Sequence, residues 1–477
     1  MQRKFLTNVL FLLLVNLLIK PFWILGVDRT VQNMLGAEAY GGYFALLNFS
    51  FLYSMLLDFG ISNFNNRAIA RNEGLITKFL PNILTIKVLL GLGYLGVSAL
   101  TGWLIGFSAE QFTLLLWLFV NQILISFILY FRSNIAAMQL FRLDALLSIT
   151  DRALMIGIVG AMIWGQWQDF TFTIHWFVYG QTVAYALTFL VALGAVAIKS
   201  TSFQVRWDTT LFKRILTMSY PYALLGILMT LYNRVDGIMI ERLLGKAGAH
   251  EAGVYAASYR LLDALNMLGF AFASILLPLF ARTLKQKGEI VPILKQSYRL
   301  LLFLSVSVAA GAYWFKVPIM DLLYLDSTAY WADIFGWLMI SFIGVSTMYV
   351  YGSLLTAHGS LRQLNQLALA GVLLNIVLNA LLIPHQGALG ATFATVLTQI
   401  VVAAGHIVLA LRIFNLRADI SLVLRATLFL IAAVLLGGVM VRLPIAWGYQ
   451  LLLAAVAYSA VGWGLGLLQW REWLQKA

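Results

Sequence analysis

Residues 83–106 have the sequence ILTIKVLLGLGYLGVSALTGWLIG. The apolar residues follow one another without the alternation of apolar and polar side chains that is typical of a membrane-barrel strand. About 20 consecutive apolar residues are needed for an α-helix to cross the roughly 30 Å hydrocarbon core of a bilayer. The stretch therefore predicts a transmembrane helix, and its only charged side chain, Lys87, lies near one end of it.

The composition extends this prediction to the whole chain. Of the 477 residues, 61% are hydrophobic and 11% are charged, and the mean hydropathy is +0.88. Soluble domains have roughly 45–50% apolar and about 25% charged residues, and disorder requires low hydrophobicity. Both classes are excluded, and we predict an all-α polytopic membrane protein. Cysteine is absent, which excludes disulfides and thiolate sites.

Fourteen windows of about 20 apolar residues predict fourteen membrane spans. Their limits are 6–27, 40–60, 83–106, 112–132, 145–165, 173–198, 214–240, 252–279, 298–317, 333–356, 364–384, 387–411, 423–442 and 446–469. The connections between them are short, so no separate soluble domain is expected.

The loops predict the orientation, because cytoplasmic loops carry an excess of Lys and Arg. With the N-terminus inside, 22 of the 32 cations lie in cytoplasmic segments. Five lie in outer loops (Arg29, Arg242, Lys246, Lys316 and Arg442) and five within spans. This bias predicts cytoplasmic termini and an even number of spans. It also accounts for the net charge of +13 without a nucleic-acid partner. The apolar stretch after Arg3 and Lys4 is longer than the apolar core of a cleaved signal peptide, which predicts an uncleaved first span.

A weak internal repeat divides the chain. Leu35 and Gly36 correspond to Leu244 and Gly245 at an offset of 209, and the Val–Asp pair at 27–28 corresponds to the pair at 235–236 at an offset of 208. A unit of six spans would place both copies in the same orientation, related by a pseudo-two-fold axis along the membrane normal. If the repeat holds, the first span continues to about Leu35.

The repeat predicts two lobes and an addition. The N-terminal six-helix lobe covers residues 1–200, the C-terminal six-helix lobe covers 201–413, and two additional transmembrane helices occupy 414–477. In transporters built from such repeats, the substrate site lies between the lobes.

The glycine motif at Gly91, Gly93 and Gly96 matches G-x-G-x-x-G. No strand precedes it, so the dinucleotide-binding interpretation fails its structural requirement. We expect instead that these small residues let two helices approach closely. The histidines show no metal-ligand spacing and no complete phosphate-binding loop is present, so neither a metal nor a cofactor is expected.

Charged residues within the spans are the candidate functional groups, because each costs roughly 2.5–3.5 kcal/mol or more at the bilayer centre. Lys87 lies near the cytoplasmic face, where we expect its side chain to extend to the surface. Lys20 lies deeper, beside Pro21, which weakens the helix. Two alternatives stay open for Lys20: it faces a polar cavity, or it extends outward.

Two further groups stand in the seventh and eighth spans. Arg234 and Asp236 are two residues apart and point to different sides, whereas Arg260 and Asp263 share one face. A structural ion pair, such as Asp236 with Arg260, and a cationic cavity wall both remain open. Arg152 follows a polar stripe in the fifth span, where a structural role is favoured.

Cationic side chains in a cavity indicate an anionic substrate, because the Arg guanidinium matches phosphate oxygens with a planar set of donors. We list Lys20, Arg29, Arg152, Arg234 and Arg260 as candidate substrate-binding residues. Without an ATP motif, energy would come from an ion gradient, the membrane potential or substrate removal. The candidate ion-coupling residues are Asp58, Asp236 and Asp263.

Three groups of motifs, in this order along the chain, carry a resemblance to a known family. They are 34–43 (MLGAEAYGGY) with 57–60 (LDFG) and 67–71 (RAIAR); 233–236 (NRVD) with 244–245 (LG) and Tyr255; and 382–384 (LIP) with 387–392 (GALGAT). Together they resemble the polysaccharide transporter family of the multidrug/oligosaccharidyl-lipid/polysaccharide exporter superfamily, which includes Wzx-type O-antigen flippases.

The resemblance implies a function as well as a fold. It implies a two-lobed helical transporter in the bacterial inner membrane that moves undecaprenyl-pyrophosphate-linked oligosaccharides from the cytoplasmic to the outer leaflet, without ATP and with cations lining its cavity. The implied contacts are the lipid-linked oligosaccharide and membrane lipids, with a polysaccharide polymerase and glycosyltransferases as further partners. A multidrug antiporter of the same fold is the alternative, although an exporter of organic cations is expected to expose acids. A membrane polymerase is disfavoured because the outer loops are short, so no enzyme activity is expected.

The charge bias of the loops makes a direct prediction about topology. A reporter fused after Lys287 should be cytoplasmic, and a reporter fused near Lys246 should be outside, because most loop cations lie inside in this orientation. Paired phosphatase and fluorescent-protein fusions at both sites measure this. The opposite location at both sites would make the span count wrong.

Overall fold

The computed structural model describes residues 18–62, 65, 69, 74–138, 140–165, 170–198 and 209–468. All regular structure in these ranges is helical, which confirms the predicted all-α class. The α-helices are α1 (Arg29–Leu52), α2 (Leu75–Ile105), α3 (Ala109–Ala137), α4 (Phe141–Trp164), α5 (Ile174–Ala197), α6 (Thr209–Leu243), α7 (Gly248–Lys285), α8 (Val291–Trp314), α9 (Lys316–Leu323), α10 (Ala329–His358), α11 (Leu361–Ile413), α12 (Ile420–Met440) and α13 (Trp447–Gly464).

Ten helices of the described ranges are long and apolar enough to cross a membrane. One of them, α11, has 53 residues, which corresponds to about 80 Å, or more than twice the hydrocarbon thickness. Its backbone leaves the helical conformation at Gly387 (φ 59°, ψ −138°), so α11 contains the two spans predicted at 364–384 and 387–411. The first predicted span lies largely outside the described residues. When α11 is counted as two spans and the first predicted span is set aside, the ten helices are roughly consistent with the predicted count of about fourteen.

The chain divides into two compact units, Met1–Glu241 and Arg242–Ala477. Within the first unit, α3 packs against α1 and α5, and α4 packs against α5. Within the second unit, α10 is the central helix and contacts α7, α8 and α11. Helices α12 and α13 pack against α8 through an apolar cluster that includes Leu302, Phe429 and Tyr458.

Glycines end a helix at corresponding points of the sequence repeat. Residues 18–35 form one continuous helical stretch, and Gly36 interrupts α1 with φ 77° and ψ 169°. Gly245, its counterpart, follows α6 with φ 55°. Positive φ carries little steric penalty only for glycine. The helix therefore continues to Leu35, the residue to which the repeat extends the predicted first span.

The helix around Pro21 is distorted, as the sequence predicts. Residues 23–28 form a π-helix, in which the hydrogen bonds span five residues instead of four. Proline lacks the amide hydrogen and sterically displaces the carbonyl one turn earlier, which favours such an irregularity. The π-helix turns Trp23, Ile24 and Asp28 into the protein interior.

The prediction for the G-x-G-x-x-G glycines is wrong at two of its three positions. A β-carbon at Gly93 or Gly96 would meet no described atom within 4 Å, and one at Gly91 would touch only Ile123 at 3.9 Å. The close approach occurs elsewhere: a β-carbon at Gly344 of α10 would lie 2.8 Å from the backbone oxygen of Gln399 in α11. Sequence spacing identified small residues but not the helix face that they occupy.

We predict that Gly344→Ala destabilises the protein and Gly93→Ala does not. The added methyl group at Gly344 meets backbone that cannot rotate away, and overpacking of this kind costs about 1–3 kcal/mol. At Gly93 the methyl group enters open space and improves helix propensity. The midpoint of thermal unfolding in detergent measures both variants, and equal midpoints would contradict the close contact of α10 with α11.

Candidate functional site

In the first unit, one intramembrane cation lies within electrostatic range of two others, and the three come from separate helical stretches. Lys20 precedes the π-helix, Arg132 is near the end of α3, and Arg152 is in the first half of α4. The charges of Arg132, Asp151 and Arg152 all act on the Lys20 ammonium group. We call Lys20, Arg132 and Arg152, together with Asp144 and Asp151, the basic cluster.

Two of the three cations of the basic cluster have an acidic partner. Arg132 Nε lies 2.7 Å from Asp144 Oδ1, and Arg152 Nε lies 3.7 Å from Asp151 Oδ2. Lys20 is half-buried and forms no ion pair with any residue of the described ranges. With three cations and two acids, the cluster has an excess of positive charge.

Aromatic rings flank the basic cluster. The Arg152 guanidinium carbon lies 5.8 Å from the ring centroid of Trp23 and 5.9 Å from that of Tyr185, within cation–π distance. Trp23 in turn stacks on Phe177, with centroids 5.9 Å apart and planes 8° apart. Because the π-helix orients Trp23, the distortion at Pro21 contributes directly to this site.

A second charged group of the first unit is a buried ion pair. The Lys87 side chain is 1% exposed and its Nζ lies 3.3 Å from Asp58 Oδ1. The Nζ group also donates to the Leu57 carbonyl at 2.9 Å and to Ser126 Oγ at 2.7 Å. All three ammonium protons therefore have an acceptor. The prediction that Lys87 extends to the membrane surface is wrong, because its side chain is buried between helix α3 and the turn at residues 54–58 that follows α1.

The turn after α1 explains how Asp58 reaches Lys87. Helix α1 ends at Leu52, a 3-10 turn covers Ser54–Leu57, and Phe59 and Gly60 both have positive φ. This turn ends the second predicted span earlier than residue 60. Asp58 also accepts a hydrogen bond from the hydroxyl of Ser62 at 2.5 Å. The Asp58 carboxylate therefore already has partners, and its role in ion coupling stays a prediction.

Arg29 and its neighbour Asp28 lie inside the helical stretch that ends at Leu35. Asp28 is 2% exposed and accepts a hydrogen bond from the Tyr40 hydroxyl at 2.8 Å. Arg29 is partly buried, and its Nε finds no hydrogen-bond partner among the described residues. These positions agree with the longer first span.

The candidates of α6 lie against α1. The Arg234 guanidinium carbon is 5.2 Å from the ring centroid of Phe51, and Asp236 is buried with 1% of its surface exposed. A β-carbon at Gly237 would lie 2.7 Å from Asn48 Nδ2, which shows how closely the helices approach. Asp236 is therefore placed in the packed part of α6, and its role in coupling stays a prediction.

In the second unit, Arg260 and Asp263 face each other on α7, as their spacing predicts. Arg260 Nη1 and Asp263 Oδ2 are 4.0 Å apart, and both side chains are largely buried. Of the five predicted substrate-binding cations, Lys20 and Arg152 are within range of each other's charge. Arg29, Arg234 and Arg260 each have other neighbours.

The sequence analysis missed one acidic contact. Glu251 Oε2, near the beginning of α7, accepts from the Tyr330 hydroxyl at 2.7 Å and from the Ala388 amide at 2.8 Å. It thereby satisfies an amide group at the point where Gly387 interrupts α11. The described ranges contain no group of three or more His, Asp or Glu side chains that could hold a metal ion.

These helices form the fold of a class of multi-pass membrane transporters. The chain is similar to the lipid II flippase MurJ in an inward closed conformation, with a TM-score of 0.71 and 15% identity over 96% of this chain and 98% of that one. It is also similar to an inward-facing multidrug resistance MATE family transporter of the MOP superfamily, with a TM-score of 0.63, 14% identity and coverage of 85% and 98%. A MOP superfamily transporter from Pyrococcus furiosus matches with a TM-score of 0.60, 14% identity and coverage of 86% and 96%.

Residues 5–284 match the polysaccharide biosynthesis protein family. The chain belongs to this family, and the resemblance seen in its sequence motifs is confirmed. A comparison with curated proteins found no match. The structural neighbours, all at low identity, establish the shared fold.

We predict that Asp58→Asn destabilises the protein by about 3 kcal/mol. The substitution leaves the Lys87 charge, with 1% exposure, without its counter-ion, and breaking a buried pair costs about 3–5 kcal/mol. The lower end applies because Asp58 is 27% exposed. The double variant Asp58→Asn with Lys87→Met should recover most of the loss, as measured by thermal unfolding in detergent.

Asp333→Asn is the matched control. Its carboxylate pairs with Lys316, and 45% of its side chain is exposed, so solvent screening limits the loss to about 1 kcal/mol or less. An Asp58→Asn variant as stable as Asp333→Asn would show that the Lys87 ammonium group has another source of compensation.

Proposed function

We propose that this protein is a flippase that translocates an undecaprenyl-pyrophosphate-linked oligosaccharide, such as the repeat unit of O-antigen or another surface polysaccharide, from the cytoplasmic to the outer leaflet by alternating access. The observation that carries the proposal is the basic cluster with its flanking aromatic rings, in a member of the polysaccharide biosynthesis protein family. The fold shared with the lipid II flippase MurJ supports it.

The basic cluster has the charge that a pyrophosphate requires. An anion of this kind cannot enter an apolar interior without compensating cations. In the cluster, Lys20 has no carboxylate of its own among the described residues, and Arg152 retains 28% exposure of its side chain. Lys20 and Arg152 can therefore donate to phosphate oxygens. Asp144 holds the Arg132 guanidinium in position, and Asp151 holds that of Arg152.

The aromatic rings beside the basic cluster suit the oligosaccharide part of the substrate. Trp23 and Tyr185 present large, rigid ring faces next to the Arg152 guanidinium. Aromatic faces stack on the C–H faces of sugar rings, so anion and sugar contacts would occur side by side. This arrangement does not select one sugar.

The other substrate-binding cations of the proposal are Arg29 and Arg234 in the first unit and Arg260 in the second. Arg29 has a buried Nε without a hydrogen-bond partner in the described ranges, which is the property expected of a donor awaiting a ligand. Asp58, Asp236 and Asp263 are the proposed ion-coupling groups.

The cellular setting follows from the same proposal. We place the protein in the bacterial inner membrane with both termini in the cytoplasm, where the loop cations lie by the predicted orientation. A polysaccharide polymerase and glycosyltransferases are the proposed partners, because they would consume and supply the lipid-linked oligosaccharide.

A multidrug antiporter is the second candidate, because MATE family transporters share the fold. The charge of the basic cluster distinguishes the two functions. An organic cation would be repelled by the excess positive charge around Lys20, whereas a pyrophosphate would be attracted by it. The cluster therefore favours the flippase.

We predict that Arg152→Ala lowers the rate of lipid-linked oligosaccharide flipping in proteoliposomes at least about tenfold. The variant loses hydrogen bonds to a charged group, which contribute about 1.5–3 kcal/mol. Arg152→Lys should recover part of the rate, since Lys lacks the planar pair of donors. Arg142→Ala is the matched control, because Arg142 is an exposed cation on the same helix.

Two further measurements separate transport from packing. The double variant Asp151→Asn with Arg152→Ala removes the carboxylate that Arg152→Ala leaves without its ion pair. A normal flipping rate in the double variant would assign Arg152 to packing and remove it from the substrate site. Efflux of an organic-cation dye by wild-type proteoliposomes without flipping would favour the antiporter instead.

A further inference from the structure

A cavity of about 420 Å³ lies in the second unit, at the ends of four helices. Its lining comes from the beginning of α8 and α12, the end of α11, and Tyr351, seven residues before α10 ends at His358. Because helices end or begin together here, the cavity lies at one surface of the membrane-spanning part. The loop cations predict that this surface is cytoplasmic. Its volume lies within the range of small-molecule sites, about 300–1,000 Å³.

One side of the cavity is cationic. Lys295 and Arg417 line it, and Asp419 is the one acidic residue of the lining. Lys295 Nζ donates to Asp419 Oδ2 at 2.6 Å, and Asp419 also accepts from the Leu422 amide at 3.0 Å at the beginning of α12. The hydrogen bond from Lys295 lowers the pKa of the Asp419 carboxyl, with the Leu422 amide as the next cause, so Asp419 is ionised at neutral pH.

Asp419 does not neutralise the cations of this surface. Its carboxylate pairs with Lys295 and is also under the charge of Arg299. Arg417 is exposed and forms no ion pair with any residue described in the structure. Lys295 keeps further ammonium protons beyond the one that it gives to Asp419. The cavity therefore presents donors to an anion in addition to its own carboxylate.

The other side of the cavity is apolar. Leu294, Ile407, Leu411, Leu422, Val423 and Ala426 form it. The rings of Tyr298 and Tyr351, which also line the cavity, contact each other edge to face with centroids 5.2 Å apart. A small free anion would use the cations and leave this apolar surface without a partner.

We propose that the cavity binds an anionic glycerophospholipid, with the headgroup phosphate at Arg417 and Lys295 and the beginning of an acyl chain against Leu294, Leu411 and Leu422. A ligand with one phosphate and an attached chain complements both sides of the cavity. Basic pockets between membrane helices on the cytoplasmic side are suited to anionic lipid headgroups. The bound lipid would connect the loop between α11 and α12 to α8. The inference is independent of the proposed transport substrate.

The test is a count of lipids bound to the purified full-length protein. Native mass spectrometry with added phosphatidylglycerol should resolve one tight site, and Arg417→Ala should weaken that site about fivefold, since a basic side chain near an anionic surface contributes about 1 kcal/mol. Arg412→Ala is the matched control: Arg412 is exposed near the end of α11, five residues before Arg417, and does not line the cavity. Phosphatidylcholine, which has no net charge, should show no tight site.

A second variant tests the apolar side. Ala426→Phe fills the cavity beside Leu422 and should also weaken phosphatidylglycerol binding, while Arg417 stays in place. Thermal unfolding with added lipid checks that each variant folds, because a ligand that binds the folded state raises the unfolding midpoint. The midpoint should rise for wild type and Arg412→Ala, and less for Arg417→Ala.

Three outcomes would overturn the proposal. Equal weakening by Arg412→Ala and Arg417→Ala would show general surface attraction. An unchanged affinity in both Arg417→Ala and Ala426→Phe would place the tight lipid elsewhere. Equal stabilisation by inorganic phosphate at the same concentration would show a free-anion site and exclude the lipid assignment.

Discussion

An ionised side chain in an apolar helical protein needs partners for its charge and for each of its protons, and this requirement governs the first unit. Lys87 shows it most clearly, because its ammonium group is buried among Asp58, the Leu57 carbonyl and Ser126. The turn that ends α1 is needed to bring two of these acceptors to α2. The turn that ends α1 therefore also supplies the acceptors that compensate the buried Lys87 charge.

The same requirement explains where the helices are irregular. Non-helical backbone at membrane depth is tolerated where protein encloses it or where it lines a polar cavity. The π-helix after Pro21 places Trp23 beside Arg152. At the interruption of α11 by Gly387, the Ala388 amide donates a hydrogen bond to Glu251. Each irregularity therefore lies beside a charged side chain that contacts it.

The two cationic regions of the protein differ in their chemistry. The basic cluster combines three cations with aromatic faces, which suits a substrate with phosphate and sugar. The cavity around Arg417 combines two cations with aliphatic side chains, which suits a phospholipid. A lipid II flippase and a multidrug transporter both have this fold, so the side chains beside the cations, rather than the helices, separate the functions we propose for these regions.

The sequence by itself determined the helical membrane class and most span limits, because these depend on local hydropathy. Its internal repeat also indicated that the first helical stretch continues to about Leu35. The sequence also identified Lys20 and Arg152 as unusual intramembrane charges. Their association, the pairing of Lys87 with Asp58 and the open surroundings of Gly93 were decided only by the tertiary structure. Contacts between residues far apart in the chain depend on how each helix is rotated against its neighbours. Helical spacing defines which residues share a face, but packing decides which neighbour that face meets.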